Sequence, residues 1–279
     1  MALFMLATSS RLLAVYGLIA LVALLFAPST AQLARLWSDF DNLSYTHGFA
    51  IAGVSLWLIF RDRHALAAAA PQPSWRMFAL WSVCAVVWIF FWHADIRDAY
   101  LVLFPALIWL ALYAVLGQSI AMLLLFPIGY LYFTLPAWSW LNPLMQYLSI
   151  QGVALLLHLT GIPTAVNGSL VSVPAGVFEI APACAGLHFL TVGLALAALL
   201  GELNRDPWRV RLKWMALMGL LAVLTNWIRI VFIIVSGQAT QMQSSLITVG
   251  HYRFGWAVFA VALGLFLWIA RRAERSVSL

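Results

Sequence analysis

The chain has 279 residues, 65% of them hydrophobic and 9% charged, with a formal net charge of +6. Soluble domains carry roughly 25% charged residues, so this composition excludes a water-exposed globular fold. The positive charge does not describe a nucleic-acid surface either, because no stretch combines basic density with stacking aromatics.

Taken in chain order, the apolar runs predict an all-α polytopic membrane protein of about eight crossings. These lie near 12–27, 45–60, 77–92, 99–116, 119–135, 183–200, 214–235 and 252–270. They are helices rather than barrel strands, because apolar and polar residues do not alternate along them. The first run, with Arg11 before it and Ala27-Pro-Ser-Thr-Ala-Gln after it, shares features with a signal peptide. It is read as an uncleaved helix, since its removal would leave an odd number of crossings. Most of the cations fall in four clusters: Arg11; Arg61, Arg63 and Arg76; Arg205, Arg209, Arg211 and Lys213; and Arg271, Arg272 and Arg275. Pairs of apolar segments separate them, as the positive-inside rule requires, which places both termini in the cytoplasm. The outer loops are then 28–44, 93–98, 136–182 and 236–251.

Segment 143–159 is apolar enough to suggest a ninth helix. A full crossing there would put the cations of 205–213 and 271–275 outside, so it is read as interfacial or re-entrant. From 160 to 182 the texture changes. Gly161-Ile-Pro, Asn167-Gly-Ser, and the pair Leu170-Val-Ser-Val and Val177-Phe-Glu-Ile around Pro174-Ala-Gly predict short extracytoplasmic strands joined by turns. The whole of 1–279 reads as one transmembrane domain.

Two cations break the charge pattern. Arg229 stands roughly 22 Å above Trp214 in a hydrocarbon core of about 30 Å. An intramembrane Arg costs at least ~2.5 kcal/mol to insert and marks a functional site by default; the structural alternative pairs it with Glu179 or with helix-end carbonyls. Arg253 follows His251 at the outer start of the last helix. Cys184 sits after Pro182, where a loop becomes a helix. A helix N-terminus and a nearby Arg together lower a thiol pKa from ~8.5 toward about 4–7. Most unpaired cysteines are small buried residues, and Cys84, inside an apolar run, is read that way; no disulfide is expected. A thiolate, an imidazole and a guanidinium at one depth suffice for acyl transfer. His188, at i+4 from Cys184 on one helical face, competes with His251 for the role of base. His47, His64, His93 and His158 read as structural. No HExxH, CxxC or phosphate-binding loop occurs, so neither metal nor cofactor is expected.

Three stretches, Glu179-Ile-Ala-Pro-Ala-Cys184-Ala-Gly-Leu-His188, Thr225-Asn-Trp-Ile-Arg229-Ile and His251-Tyr-Arg-Phe-Gly-Trp256, resemble the signature regions of the exosortase/archaeosortase family. Tyr45-Thr-His-Gly48 with Arg61-Asp-Arg63, and Gly161-Ile-Pro with Asn167-Gly and Pro174-Ala-Gly, are similar to further regions of it, over roughly 40–270 in all. The resemblance implies a cysteine protease or transpeptidase of the bacterial inner membrane, with its site facing the periplasm. Its partners would be membrane lipid and exported proteins with a C-terminal sorting signal: a Pro-Glu-Pro-type motif, a hydrophobic helix and a basic tail. A link to exopolysaccharide production is implied as well. Cys184 would be the nucleophile, Arg229 the oxyanion stabiliser and His251 the acid/base, with Glu179, His188, Asn226 and Arg253 a secondary set. The chain departs from the family at Ala185 and His188, where Ser and Arg are usual, which leaves one cation fewer beside the thiolate. The rival readings are a transporter, with Arg229 lining its path, and a non-catalytic subunit of an exopolysaccharide export or assembly system.

Overall fold

Deprived of water, a chain this apolar must satisfy its backbone internally, and helices do so within a single segment. The computed structural model describes residues 2–40, 45–243 and 251–277, apart from the side chains of 2–7, 251–252 and 274–277. It is an all-α polytopic membrane protein with one small sheet. Six helices are long and apolar enough to cross a bilayer: Thr8–Leu25, Trp75–His93, Arg97–Leu116, Pro182–Leu203, Trp208–Ala239 and Arg253–Ala273. Of the other two expected crossings, 45–60 is the shorter apolar helix Gly48–Arg61, and 119–135 contributes only Leu125–Thr134. The chain forms two compact units, Met1–Ala137 and Trp138–Leu279.

The first unit contains α1 (Ala2–Leu25), α2 (Ala27–Trp37), α3 (Gly48–Arg61), α4 (Arg63–Ala68), α5 (Trp75–His93), α6 (Arg97–Leu116), α7 (Gln118–Leu123) and α8 (Leu125–Tyr130). Helix α6 is its spine, apolar on every side and buried at Leu101, Phe104, Leu107 and Leu112. Two expectations are corrected here. The supposed outer loop 28–44 begins with α2, which buries Ser29 and Leu33, and Ser29 Oγ accepts the Trp88 indole N–H at 3.0 Å. The supposed single helix 119–135 breaks at Leu124 into α7 and α8, followed by a 3-10 turn at Leu131–Thr134. Pro127 explains the break: it has no N–H and its ring would strike the carbonyl four residues back, whereas in the first turn of a new helix it is tolerated. Tyr45-Thr-His-Gly48 serves structure within this unit. His47 Nε2 donates to the Phe133 carbonyl at 3.1 Å, Tyr45 Oη donates to that of Pro136 at 3.4 Å, and the Trp37 ring occupies the space a Gly48 side chain would need. Of the motif's neighbourhood, 41–44 lies outside the described residues.

The second unit contains α9 (Asn142–Leu159), strands β1 (Ala165–Asn167), β2 (Leu170–Val173) and β3 (Gly176–Glu179), a 3-10 turn at Pro182–Cys184, then α10 (Leu187–Leu203), α11 (Trp208–Ala239) and α12 (His251–Val277). Segment 143–159 is one unbroken helix. The strands form an antiparallel sheet of order β1-β2-β3, with Val171 opposite Phe178. Its buried face, Val171 and Val173, packs on Ile150, Val153 and Leu157 of α9 and on Ile230 and Ile234 of α11. Ala175 N at the hairpin tip donates to Gln238 Oε1 of α11 at 2.8 Å, which fixes the sheet to that helix.

Helices α10, α11 and α12 run antiparallel. Gly186 faces Asn226, Gly193 faces Met218 and Gly201 faces Arg211, while Trp214 meets Phe266 and Phe232 meets Phe254. Arg205, Arg209, Arg211 and Lys213 therefore share an end of this unit with Arg271 and Arg272. Arg211 closes the α10–α11 turn there, with an ion pair to Glu202 at 2.6 Å and a bond to the Asp206 carbonyl at 2.7 Å. Cys184, Arg229 and the sheet occupy the opposite end. At 32 residues, or roughly 48 Å, α11 overruns the expected 214–235 at both ends.

The α9–α11 seam depends on a missing side chain. A Cβ on Gly152 would overlap the Trp227 indole. Gly152→Ala is expected to destabilise the protein by about 1–3 kcal/mol, read as a lower thermal midpoint in detergent, with partial recovery on adding Trp227→Leu.

A candidate active site in the second unit

Between Ile180 and Leu187 the chain is irregular, although its surroundings are apolar. Every carbonyl here needs a donor, because an unpaired one buried away from water costs about as much as a lost hydrogen bond. Backbone N–H groups serve the carbonyls of Ala181, Pro182 and Gly186, and side chains of α9 and α11 serve those of Ile180, Cys184 and Ala185. The Cys184 carbonyl accepts from Arg229 Nη2 and from Asn226 Nδ2, each at 3.1 Å. Asn226 Nδ2 also donates to Ser149 Oγ at 3.1 Å, and Ser149 passes its own proton to the Ala185 carbonyl at 3.1 Å. Gln146 Nε2 donates to the Ile180 carbonyl at 2.7 Å. The network is deeply buried: Asn226 is 0% exposed, Ser149 1% and Arg229 6%.

Gly186 caps α10 with φ of +88°, a left-handed conformation open chiefly to glycine. Its missing side chain also lets the Asn226 amide approach. This corrects the sequence reading of Cys184 as the opening of a helix. Cys184 ends a 3-10 turn and α10 starts three residues later, so Cys184 and His188 do not share a helical face. His188 instead lies edge-on to Trp256 at 5.1 Å, within the aromatic cluster of Phe189, Trp256 and Phe259.

Cys184 and Arg229 are together. The guanidinium reaches the backbone of Cys184 itself, through its carbonyl. Both line one cavity of about 280 Å³, with β3, Ile180, Ile230, Ile233, Ile234 and Met242. Arg229 is further held by Phe189, whose ring centre is 5.4 Å from Cζ. Gly255 leaves room for both, since a Cβ there would press on the Arg229 side chain and the Phe189 ring.

No ion pair joins Arg229 to a carboxylate among the described residues. Glu179 borders the same cavity but is exposed, and the guanidinium goes to a backbone carbonyl instead. Arg229 Nε and Asn226 Oδ1 are buried with no hydrogen-bond partner among the described residues. Arg253 is exposed and does not line the cavity. His251 begins α12, but its side chain lies outside the described residues. Ser149 and Gln146 were missed in the sequence. Their spacing, i and i+3 on one face of an otherwise apolar helix, was the available signal. No group of three or more His, Cys, Asp or Glu able to hold a metal occurs among the described residues, and both cysteines are free.

The site holds a free thiol, a fixed cation and an apolar cavity, a set of groups of the kind used for addition to a carbonyl. Among known proteins, the sequence profile of the family described as transmembrane exosortase matches residues 37–268. No curated protein and no solved structure matches the chain. The matched stretch takes in most of both units and every residue of the network around Cys184, and the chain belongs to the transmembrane exosortase family.

Proposed function

We propose that this chain is a membrane-embedded cysteine peptidase or transpeptidase that cleaves C-terminal sorting signals of exported proteins. Its site would face the periplasm from the inner membrane, with the cations of 205–213, 271 and 272 at the cytoplasmic end. The observation that carries the reading is the Arg229 guanidinium: buried, bonded to the Cys184 carbonyl, bordering the same cavity as that residue and, among the described residues, with no carboxylate partner and no acceptor at Nε. A buried donor left unsatisfied is rare enough in a native fold to call for a role, and a negative oxygen forming in the cavity would supply its acceptor.

The chemistry follows in two steps. The Cys184 thiolate attacks the scissile carbonyl, whose oxygen becomes negative and is held by Arg229. Collapse of this tetrahedral species breaks the C–N bond, the amine leaves with a proton from an imidazole, and a thioester on Cys184 remains. Water or an acceptor amine then attacks the thioester, gives its proton to the same imidazole and regenerates the thiolate. His251 is assigned as that imidazole on the family resemblance and on its position at the start of α12, the helix that packs Gly255 against Arg229. A substrate helix lying in the bilayer would keep its basic tail at the cytoplasmic end, under the rule that orients the enzyme.

Co-expression with an exported reporter bearing a Pro-Glu-Pro-type C-terminal signal tests the reading, with reporter size followed by immunoblot at matched membrane abundance. Cleavage should vanish in Cys184→Ala; cleavage that persists there would remove the nucleophile. Arg229→Lys keeps the charge but not the reach of two opposed donors, and its turnover is expected to fall about 100-fold or more. Gly255→Ala removes no functional group, yet should lower turnover by displacing Arg229; activity equal to wild type would show that the guanidinium's position is unimportant. For the proton carrier, the limb of the pH–rate profile that reports an imidazole should be lost in His251→Ala and retained in His188→Phe. The reverse result would transfer the role to His188.

A further inference from the structure

We propose that β3 is a docking edge for an extended peptide, the segment of the substrate that carries the scissile bond; this rests on the reading of Cys184 as nucleophile. In an antiparallel ladder alternate residues exchange both backbone hydrogen bonds with the strand opposite. Ile180 N donates to the Ser169 carbonyl at 2.9 Å, and the β2–β3 register continues as Leu170–Glu179, Val171–Phe178 and Ser172–Val177. The residues turned toward β2 are therefore Ile180, Phe178 and Gly176. The N–H and C=O groups of Val177 and Glu179 point the other way, to the outer edge of a sheet whose order ends at β3. Neither residue has a backbone partner there among the described residues.

That edge borders the catalytic cavity. Val177, Phe178, Glu179 and Ile180 line it together with Cys184 and Arg229, and Ile230, Ile233 and Ile234 add one apolar face of α11. The edge cannot drift from the thiol, because Gln238 ties the hairpin tip and Gln146 the Ile180 carbonyl to the flanking helices.

Donors and acceptors repeating at about 6.8 Å along one edge match another extended backbone and no small polar ligand. An exposed strand edge is otherwise a liability that proteins cover or blunt, and β3 carries neither Pro nor Lys. The occupant that fits both the edge and the apolar wall is a peptide strand with small or branched apolar side chains. Its main chain would pair with Val177 and Glu179, and one side chain in two would enter the cavity. Recognition would then be largely of backbone, and tolerant of sequence at the positions facing outward.

The test uses the full chain in membranes with Cys84→Ser, so that one thiol remains. Three alkylating probes are compared: chloroacetamide, an acetylated tripeptide chloromethyl ketone with Ala and Val side chains, and the same tripeptide with its central amide N-methylated. In each reaction the Cys184 sulfur displaces chloride, and labelling rate is read by mass spectrometry. The tripeptide should label faster than chloroacetamide, and N-methylation should remove about tenfold of its rate, the worth of one or two main-chain hydrogen bonds. Val177→Pro deletes an outward N–H without touching the ladder to β2, and should lose a similar factor while chloroacetamide labelling is unchanged. Equal rates for the parent and N-methylated peptides on the unmutated edge would overturn the docking role and leave the nucleophile standing. A thiol that not even chloroacetamide labels would instead remove the nucleophile, and the docking proposal with it.

Discussion

A single peptide carbonyl, that of Cys184, organises the second unit. It is pinned by two side chains one turn apart on α11, Asn226 and Arg229. Because the backbone from Ile180 to Gly186 makes only a single 3-10 turn and lies among apolar side chains, the carbonyls that turn leaves over need outside donors. The rest of the local architecture follows. Helix α9 must approach α11 closely enough for Ser149 to join Asn226, which Gly152 permits by leaving space for Trp227. Helix α10 must start with its first turn against Asn226, which Gly186 permits. Helix α12 must reach the guanidinium, which Gly255 permits. Two of these glycines make room for the side chains that hold this peptide, and the third for Trp227, which lies between them in the sequence of α11.

The same clamp sets the electrostatics. A cation that is 6% exposed within a membrane protein is costly, and the least costly arrangement is an ion pair with full hydrogen bonding. Glu179 stands at the same cavity, yet the fold leaves it exposed and gives Arg229 a carbonyl and an aromatic face. Pairing Arg229 with Glu179 would cancel its charge at the cavity. Without that pair a positive field remains there, and on the proposed reading it would stabilise a developing oxyanion.

How much of this was legible in the sequence depended on which physical signal carried it. The long apolar helices and the clustered cations were plain, because burial in lipid demands length and charge cannot be hidden. The strands at 160–182 were plain because their turns are written in Gly, Pro and Asn. The meeting of Cys184 with Arg229 followed from depth alone. What the sequence obscured were breaks inside apolar runs. Where every face is apolar, periodicity cannot distinguish one helix from two, so α7 and α8 merged and α2 passed for a loop. The left-handed turn at Gly186 was likewise invisible between Ala185 and Leu187, and without it Cys184 and His188 fell onto one imagined face. Ser149 and Gln146 were quiet for another reason: a polar residue on a largely apolar helix reads as packing until its partner, a carbonyl far away in the chain, is located.

On the proposed reading, the sheet would answer a problem posed by any peptide bond that is to be cut at the end of a membrane helix. In a helix the scissile carbonyl already accepts a hydrogen bond four residues along, and the neighbouring turns shield it from a nucleophile. Exposing it requires that the last turn unwind, and each unwound residue leaves an N–H and a C=O with no water at hand. A strand edge returns those bonds in the one conformation, fully extended, that also presents the carbonyl to an attacking sulfur. The three strands are too few to fold alone, so the molecule anchors them to α9 and α11, the helices that also supply Ser149, Asn226 and Arg229. The surface that would straighten the substrate and the groups that would cleave it are thus fixed to the same pair of helices, and neither can shift without the other.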